Sequence, residues 1–310
     1  MRKFIRVMST FVLMVLVVHL LLILPITADR NHYLQEYNHK IKLLEQTSSP
    51  RIIFIGGSNT AFGICSPAIV DSLEQQVVNF GLHGGIGIRY PMEDALSYIR
   101  EGDIVVLQIE YAHFFGETCN AETMPKLMAA TCWRKAMGMT FSEWRAVLSG
   151  LPLLAFSNLK RLILWPFRGT LHSPTPSGYF KYTASGFNEY GDEVSHLSYP
   201  STPYLYKGRK NHGHVDKEFC LWLQSCLNHY ERRGATIVML PPSCTESCLK
   251  ASYSADIAEA LRIIGYPYVT EPQEMTVPDS LSFDSGYHLN KEGVRLNTMK
   301  IIGILLALSR

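Results

Sequence analysis

Beyond residue 50 the chain alternates between short β-branched runs and stretches with helical spacing. Arg51–Ile55 (RIIFI) ends in Gly56-Gly57 and reads as a buried strand. Pro67–Gln75 has helical spacing, with Ser66 as its N-cap and Pro67 in its first turn. Gln76–Phe80 is a second strand stopped by Gly81, Tyr90–Arg100 a helix, and Asp103–Ile109 a third strand. The rhythm breaks over residues 112–216, which hold seven of the sixteen prolines, three of the four tryptophans and few clean strands. It resumes with a helix at Lys217–Arg233, a strand at Ala235–Leu240, a helix around Ser254–Ile264 and a terminal helix at Lys291–Leu308. Strands alternating with helices imply an α/β domain over 51–310 with a mainly parallel sheet covered on both faces. The break is too long for an ordinary connection and is expected to be an insertion with structure of its own.

The N-terminus follows another pattern. Arg2, Lys3 and Arg6 precede an apolar run from Val7 to Ala28 that contains no charged residue. At about 1.5 Å per residue such a run is long enough to cross a hydrocarbon core of about 30 Å. Residues 1–28 are therefore expected to be a single transmembrane helix that anchors the protein in the membrane. The basic flank predicts a cytoplasmic N-terminus and an outward-facing remainder. A cleavable signal peptide is the competing reading, and Ile26-Thr27-Ala28 is a poor cleavage site for one. Residues 29–50 are polar with a helical pattern, a stalk or a first helix.

Hydrophobic residues make up 47% of the 310 and charged ones 18%, which excludes a disordered chain. The formal charge of +2 comes with no basic run interleaved with aromatics, so no nucleic-acid partner is expected. Seven cysteines agree with an oxidising compartment. Cys119/Cys132, Cys220/Cys226 and Cys244/Cys248 are near enough in sequence to pair, leaving Cys65; the same residues also read as small buried hydrophobes. No Cys/His pair follows Cys244 and Cys248 at ligand spacing, and His212 and His214 lack a third ligand. No metal or other cofactor is expected. Leu151–Arg168 is strongly apolar, and reads either as an interfacial segment or as a helix packed under the insertion.

Ligands of open parallel sheets gather beyond the carboxyl ends of the strands, and three such places carry notable residues. In Gly56-Gly57-Ser58-Asn59 the glycines allow a sharp turn that projects Ser58 over the sheet edge. In Asn79-Phe80-Gly81 a backbone N–H directly follows a strand, where it and the Ser58 N–H would form an oxyanion hole. In Asp284-Ser285-Gly286-Tyr287-His288-Leu289-Asn290 a carboxylate precedes a histidine, and Asn290 caps the last helix.

In this order the three motifs resemble those of SGNH (GDSL-like) hydrolases, and more closely the membrane-anchored SGNH-like proteins of bacterial cell-surface and polysaccharide acylation. Gly186-Phe187-Asn188-Glu189-Tyr190-Gly191-Asp192, with His196, is similar to the same subgroup. The resemblance covers about residues 50–120 and 180–310. It implies a flavodoxin-like three-layer α/β/α fold with Ser58 as nucleophile, His288 as general base and Asp284 as its orienting acid. Ser58 and Gly81 would be the oxyanion donors, and Asn59, Glu110 and Asp192 candidates for contacting substrate. Two positions depart from the family pattern. Glu110 follows the third strand where the family has an asparagine donor, and an ionised carboxylate only accepts. Asp284 and His288 are also one residue further apart than usual.

The resemblance further implies an enzyme on the outer side of a bacterial cytoplasmic membrane. It would carry out serine-dependent acyl transfer to, or ester hydrolysis on, a polysaccharide or other envelope polymer, with a multi-span membrane acyltransferase as a candidate partner. The alternative is a catalytically inactive SGNH-like binding or assembly protein, and the acidic Glu110 favours it. A redox role for Cys244 and Cys248 lacks the Cys-x-x-Cys spacing.

Overall fold

The computed structural model describes residues 1–28, 31–116, 119–131, 138–164, 180–201, 204–206 and 214–308, without the side chains of 19–28, 161, 162 and 164. The helices are α1 (Arg2–Ala28), α2 (Glu36–Gln46), α3 (Ser58–Ala61), α4 (Ser66–Leu73), α5 (Arg89–Leu96), α6 (Met124–Ala130), α7 (Phe141–Leu164), α8 (Lys217–Arg232), α9 (Glu246–Ser252), α10 (Ile257–Ile264) and α11 (Lys291–Leu308). The strands are β1 (Arg51–Gly56), β2 (Gln76–Asn79), β3 (Ile104–Gln108), β4 (Thr236–Met239), β5 (Cys244–Thr245), β6 (Thr276–Val277), β7 (Ser282–Ser285) and β8 (His288–Leu289).

The chain divides into two compact units, and the division differs from the expected one. Residues 1–35 and 119–173 form the first; 36–118 and 174–310 form the second. The expected insertion at 112–216 is thus shared between them. Of residues 29–50, read as a stalk or a first helix, 36–46 form the helix α2 of the second unit, where Tyr37, Lys40 and Leu44 are buried.

The second unit is a mixed α/β fold. β1 to β4 form one parallel sheet in the order β2-β1-β3-β4. The runs that build it are β-branched and buried on both faces, as parallel strands require. Ile52, Phe54, Val77, Val106 and Val238 join Ile69 of α4 and Ile301 and Leu305 of α11 in one core. The alternate residues Ile53, Ile55, Val105 and Leu107 point the other way and are equally buried. α5 packs on β1, α2 on β2 and α8 on β4. Arg51 ties the layers together, donating from Nη1 to Leu44 O at 2.6 Å and from Nη2 to Tyr98 O at 2.8 Å. Two small pairings complete the unit, β5 parallel to β6 and β7 antiparallel to β8.

The first unit is helical. α7 packs against α1 and α6, with Gly150 close to Ala121 O. Leu154, Ala155 and Asn158 are buried, whereas Leu148, Leu153, Phe156, Leu159 and Ile163 are exposed. The apolar segment from Leu151 is therefore helical as far as Leu164 and has both a packed side and a bare one; 165–168 lie outside the described residues. Phe4, Phe11, Leu13 and Leu16 of α1 are also exposed. Among the described residues no helix is long and apolar enough to cross a membrane, so the expected span is not found there. The part of that span from His19 onward falls where side chains are not described.

The pairings read for Cys220/Cys226 and Cys244/Cys248 are not formed: these four and Cys65 are free thiols, while Cys132, the candidate partner of Cys119, lies outside the described residues. Burial pushes the Cys220 thiol up to about 11 and Cys226 up to about 12, the behaviour of inert core thiols.

Lys40 of α2 is fully buried, its Nζ donating to Asn79 O at 2.8 Å and to Gly191 O and lying over the Phe187 ring. Burial pushes it down to about 8, against the pull of Glu36, Asp192 and Glu193. The folded protein therefore releases this proton near pH 8, while the unfolded chain keeps it to about pH 10.4. Across that window the unfolded chain binds more protons, so the Lys40 contribution to stability rises with pH. Denaturant titrations at pH 7.5 and 10 should show a rise roughly 2–4 kcal/mol larger for the parent than for Lys40→Met.

Candidate functional site

β1 and β3 leave the sheet side by side where the strand order reverses, the position at which open sheets bind ligands. Gly57 and Ser58 follow β1, and Ile109 and Glu110 follow β3. The turn after β1 is held by Asn59, whose Oδ1 accepts the Gly57 N–H at 3.1 Å and whose Nδ2 donates to Gln108 O at 3.1 Å. Asn59 is completely buried, so it builds the turn and does not face substrate. Ser58 opens α3 and is partly exposed; one turn later Phe62 donates its N–H to Ser58 O.

The second half of the site comes from the far end of the chain. Asp284 and His288 flank the turn of the β7–β8 hairpin, in which Ser285 pairs with His288. The hairpin absorbs the extra residue between them: Asp284 Oδ1 lies 2.6 Å from His288 Nδ1. Asn290 caps α11 by accepting the Gly293 N–H at 3.0 Å, which fixes β8 to a long helix. β8 packs against α3. Phe62 stacks on the imidazole, with centroids 4.1 Å apart and planes 14° from parallel. Both side chains are only partly exposed, 12% for His288 and 15% for Asp284.

Tyr182, which no sequence motif marked, completes the pair. Its hydroxyl donates to Asp284 Oδ2 and lies 3.3 Å from His288 Nδ1. Burial pushes the Asp284 carboxyl up, but the bond and charge of His288 and the Tyr182 hydroxyl outweigh it and hold the carboxyl below its usual value. Burial and Asp284 raise the Tyr182 phenol far enough to keep it a donor. An ionised Asp284 requires the His288 proton on Nδ1, which leaves the Nε2 lone pair to act as a base.

The expected oxyanion donors are occupied. Ser58 N–H donates to Glu110 Oε1 at 3.1 Å, and Ser58 Oγ lies 3.4 Å from the same oxygen, so Ser58 hydrogen-bonds Glu110 and not His288. Gly81 N–H donates to Asn79 Oδ1 at 3.0 Å, and Gly81 packs against Thr60. Gly81 is thus a structural turn in this conformation. Glu110, by contrast, lies directly on Ser58.

Asp192 lies elsewhere and does other work. It is fully buried, accepting from Ser66 N at 2.7 Å, Ser66 Oγ at 2.6 Å, Asn79 Nδ2 at 2.9 Å and Asn188 Nδ2 at 3.2 Å. Ser66 is therefore not the N-cap of α4, a place taken by Cys65. Burial raises the Asp192 carboxyl, and these four donors counter the rise. A carboxylate so enclosed holds the fold and does not meet substrate. Its neighbours extend the hold: Glu193 N–H donates to Ala61 O at 2.9 Å, and His196 Nε2 donates to Leu289 O at 2.9 Å.

Among the described residues no three His, Cys, Asp or Glu side chains gather as a metal site would require. A cavity of about 420 Å³ lined by Glu246, Leu249, Lys250, Tyr253, Gln273 and Thr276 includes none of the site residues. No family model, curated protein or solved structure matches the chain.

Asp192→Ala leaves four donors on Ser66, Asn79 and Asn188 without their acceptor and removes the negative charge near Lys40. It is expected to lower the unfolding free energy by about 3–5 kcal/mol in denaturant titration, whether or not a substrate is present.

Proposed function

We propose that the protein is a serine-dependent esterase or O-acyltransferase of the SGNH type. One observation carries the reading: the Asp284–His288 pair, oriented by Tyr182 and Phe62, sits on a strand packed against the helix that begins with Ser58. The strand order supports a flavodoxin-like doubly wound sheet, the fold that the motif resemblance implies.

In the proposed reaction Ser58 Oγ attacks an acyl carbonyl as His288 Nε2 takes the hydroxyl proton. The tetrahedral oxyanion collapses, the bond to the leaving alcohol breaks, and that alcohol takes the proton from His288. A second hydroxyl, from a sugar or from water, then gives its proton to His288 and attacks the acyl-enzyme. Ser58 leaves with that proton, and the acyl group is transferred or hydrolysed. Asp284 holds the imidazole in the required tautomer and stabilises the imidazolium.

The acceptor is proposed to be a cell-surface polysaccharide or envelope polymer, served from the outer side of a bacterial cytoplasmic membrane alongside a multi-span acyltransferase. Support for membrane attachment comes from the sequence run Val7–Ala28, which has no charged residue, and from the exposed apolar side of α7. The reading of an inactive binding protein is favoured by one feature, the engagement of Ser58 by Glu110.

Incubation with p-nitrophenyl acetate should leave one acetyl group on the Ser58 peptide by mass spectrometry, and none on Ser58→Ala. His288→Ala should slow acetylation by at least about 10³-fold. A folded parent that never acquires the acetyl group would favour the binding protein. In its native host the full chain should stay with the membrane pellet through carbonate extraction; release into the supernatant would remove the anchor.

A further inference from the structure

The Glu110 carboxylate stands where an acyl oxyanion would have to bind. Its Oε1 takes the Ser58 N–H, the donor that a serine nucleophile keeps for its own tetrahedral intermediate, and lies within reach of the Ser58 hydroxyl. Two glycines make room for it. A Cβ at Gly57 would come within 2.3 Å of Oε1, and a Cβ at Gly84 within 2.3 Å of Oε2. Residues from two separate turns thus shape a slot over Ser58 for a carboxylate supplied by a third. Among the described residues Glu110 forms no ion pair, and its carboxylate is held by Ser58 through two contacts, one at 3.1 Å and one at 3.4 Å. A partly exposed carboxylate held this way is seated but not locked.

Resting on the acyl-transfer reading above, we propose that Glu110 is an internal ligand of the Ser58 amide that gates acylation. With Glu110 seated, the amide is engaged, and a negative charge faces the position where the oxyanion develops. An acyl carbonyl enters only when the carboxylate swings out and yields the Ser58 N–H. The carboxylate then remains at the rim, so neutral and cationic acyl donors are admitted ahead of anionic ones. Glu110 therefore determines how readily, and by which acyl groups, Ser58 is acylated.

The test is the rate at which an uncharged fluorophosphonate labels Ser58 in the full-length parent, Glu110→Ala, Glu110→Gln and Gly84→Ala, with Ser58→Ala as blank. Thermal melts establish that each variant is folded. Glu110→Ala removes the ligand, while Gly84→Ala keeps its charge and evicts it from the slot. Both are expected to label about 10–100-fold faster than the parent, since a lost oxyanion donor typically slows turnover by about 10²–10³. Glu110→Gln, which retains an acceptor of the same shape, is expected to fall between. Parent and variants labelling at one rate would overturn the gate and leave the esterase reading intact. Acceleration in Glu110→Ala but not in folded Gly84→Ala would also overturn it, because charge and not occupancy would then be responsible. Slower labelling in Glu110→Ala would make Glu110 a support of Ser58 and sink the proposal. Absence of labelling in every folded protein would end both readings together. If Glu110→Ala fails to fold, the comparison of Gly84→Ala with the parent decides alone.

Discussion

The buried Asp192 carboxylate is the constraint on which the rest of the second unit depends. Removing a carboxylate from water costs several kcal/mol unless donors replace the lost solvent. Here the donors come from Ser66, Asn79 and Asn188, with the Lys40 charge nearby. Once Asp192 is fixed, its neighbours act in both directions along the chain. Glu193 holds the end of α3 through Ala61 O, and His196 holds β8 through Leu289 O. Asn79 donates to Thr60 O as well as to Asp192, so β2, α3 and the Asp192 segment are one hydrogen-bonded body. A parallel sheet leaves its strand ends as separate loops, and Ser58 and His288 come from distant ends of the sequence. The segment around Asp192 is what keeps their elements together.

Burial separates structural polar groups from chemical ones. Asp192, His196, Asn59 and Asn79 are almost wholly enclosed and have their hydrogen bonds satisfied inside the protein. Ser58, Glu110, Asp284 and His288 are only partly covered. The Asp284–His288 pair shows what partial cover achieves. It is covered enough for the Tyr182 and Asp284 contacts to fix a tautomer, and open enough for a substrate to approach. Phe62 contributes the apolar side of this balance. It leaves α3 one turn after Ser58 and lies flat on the imidazole, so the helix that begins with Ser58 also sets the plane of the His288 ring.

The four main strands were legible because each is a short β-branched run bounded by glycine or a polar residue, and all four fall within a residue or so of their expected limits. The Asn290 cap was legible for a local reason too: its partner is Gly293, three residues on. What could not be read depends on distant partners. Asp192 looked like a substrate contact because its donors lie far away, Ser66 by 126 positions and Asn79 by 113. Tyr182 lies in an irregular stretch without periodicity, 102 residues before the carboxylate it meets. Gly81 follows a strand as an oxyanion donor should, yet its N–H is claimed by Asn79 two residues earlier. The extent of the insertion was misread for a related reason. Composition marks residues 112–216 as different, but only tertiary contacts divide them between a helical unit and the α/β unit.

Glu110 looks like a lost oxyanion donor when compared with the family pattern, and its surroundings point elsewhere. Chance loss of a donor would leave a side chain with no shaped place to go. Instead the carboxylate fits between two glycines, at distances that admit no Cβ on either, and satisfies the amide the missing donor would have assisted. A partly buried N–H needs an acceptor whether or not substrate is present. Seating Glu110 supplies one at rest, and in the proposed acylation an incoming carbonyl would supply another, so the amide would exchange acceptors without being left bare. What distinguishes the two states is charge: the resting acceptor is fully negative, whereas a carbonyl becomes so only in the transition state. In the proposed gate the closed state would therefore hold until a substrate brought enough contacts of its own to displace the carboxylate.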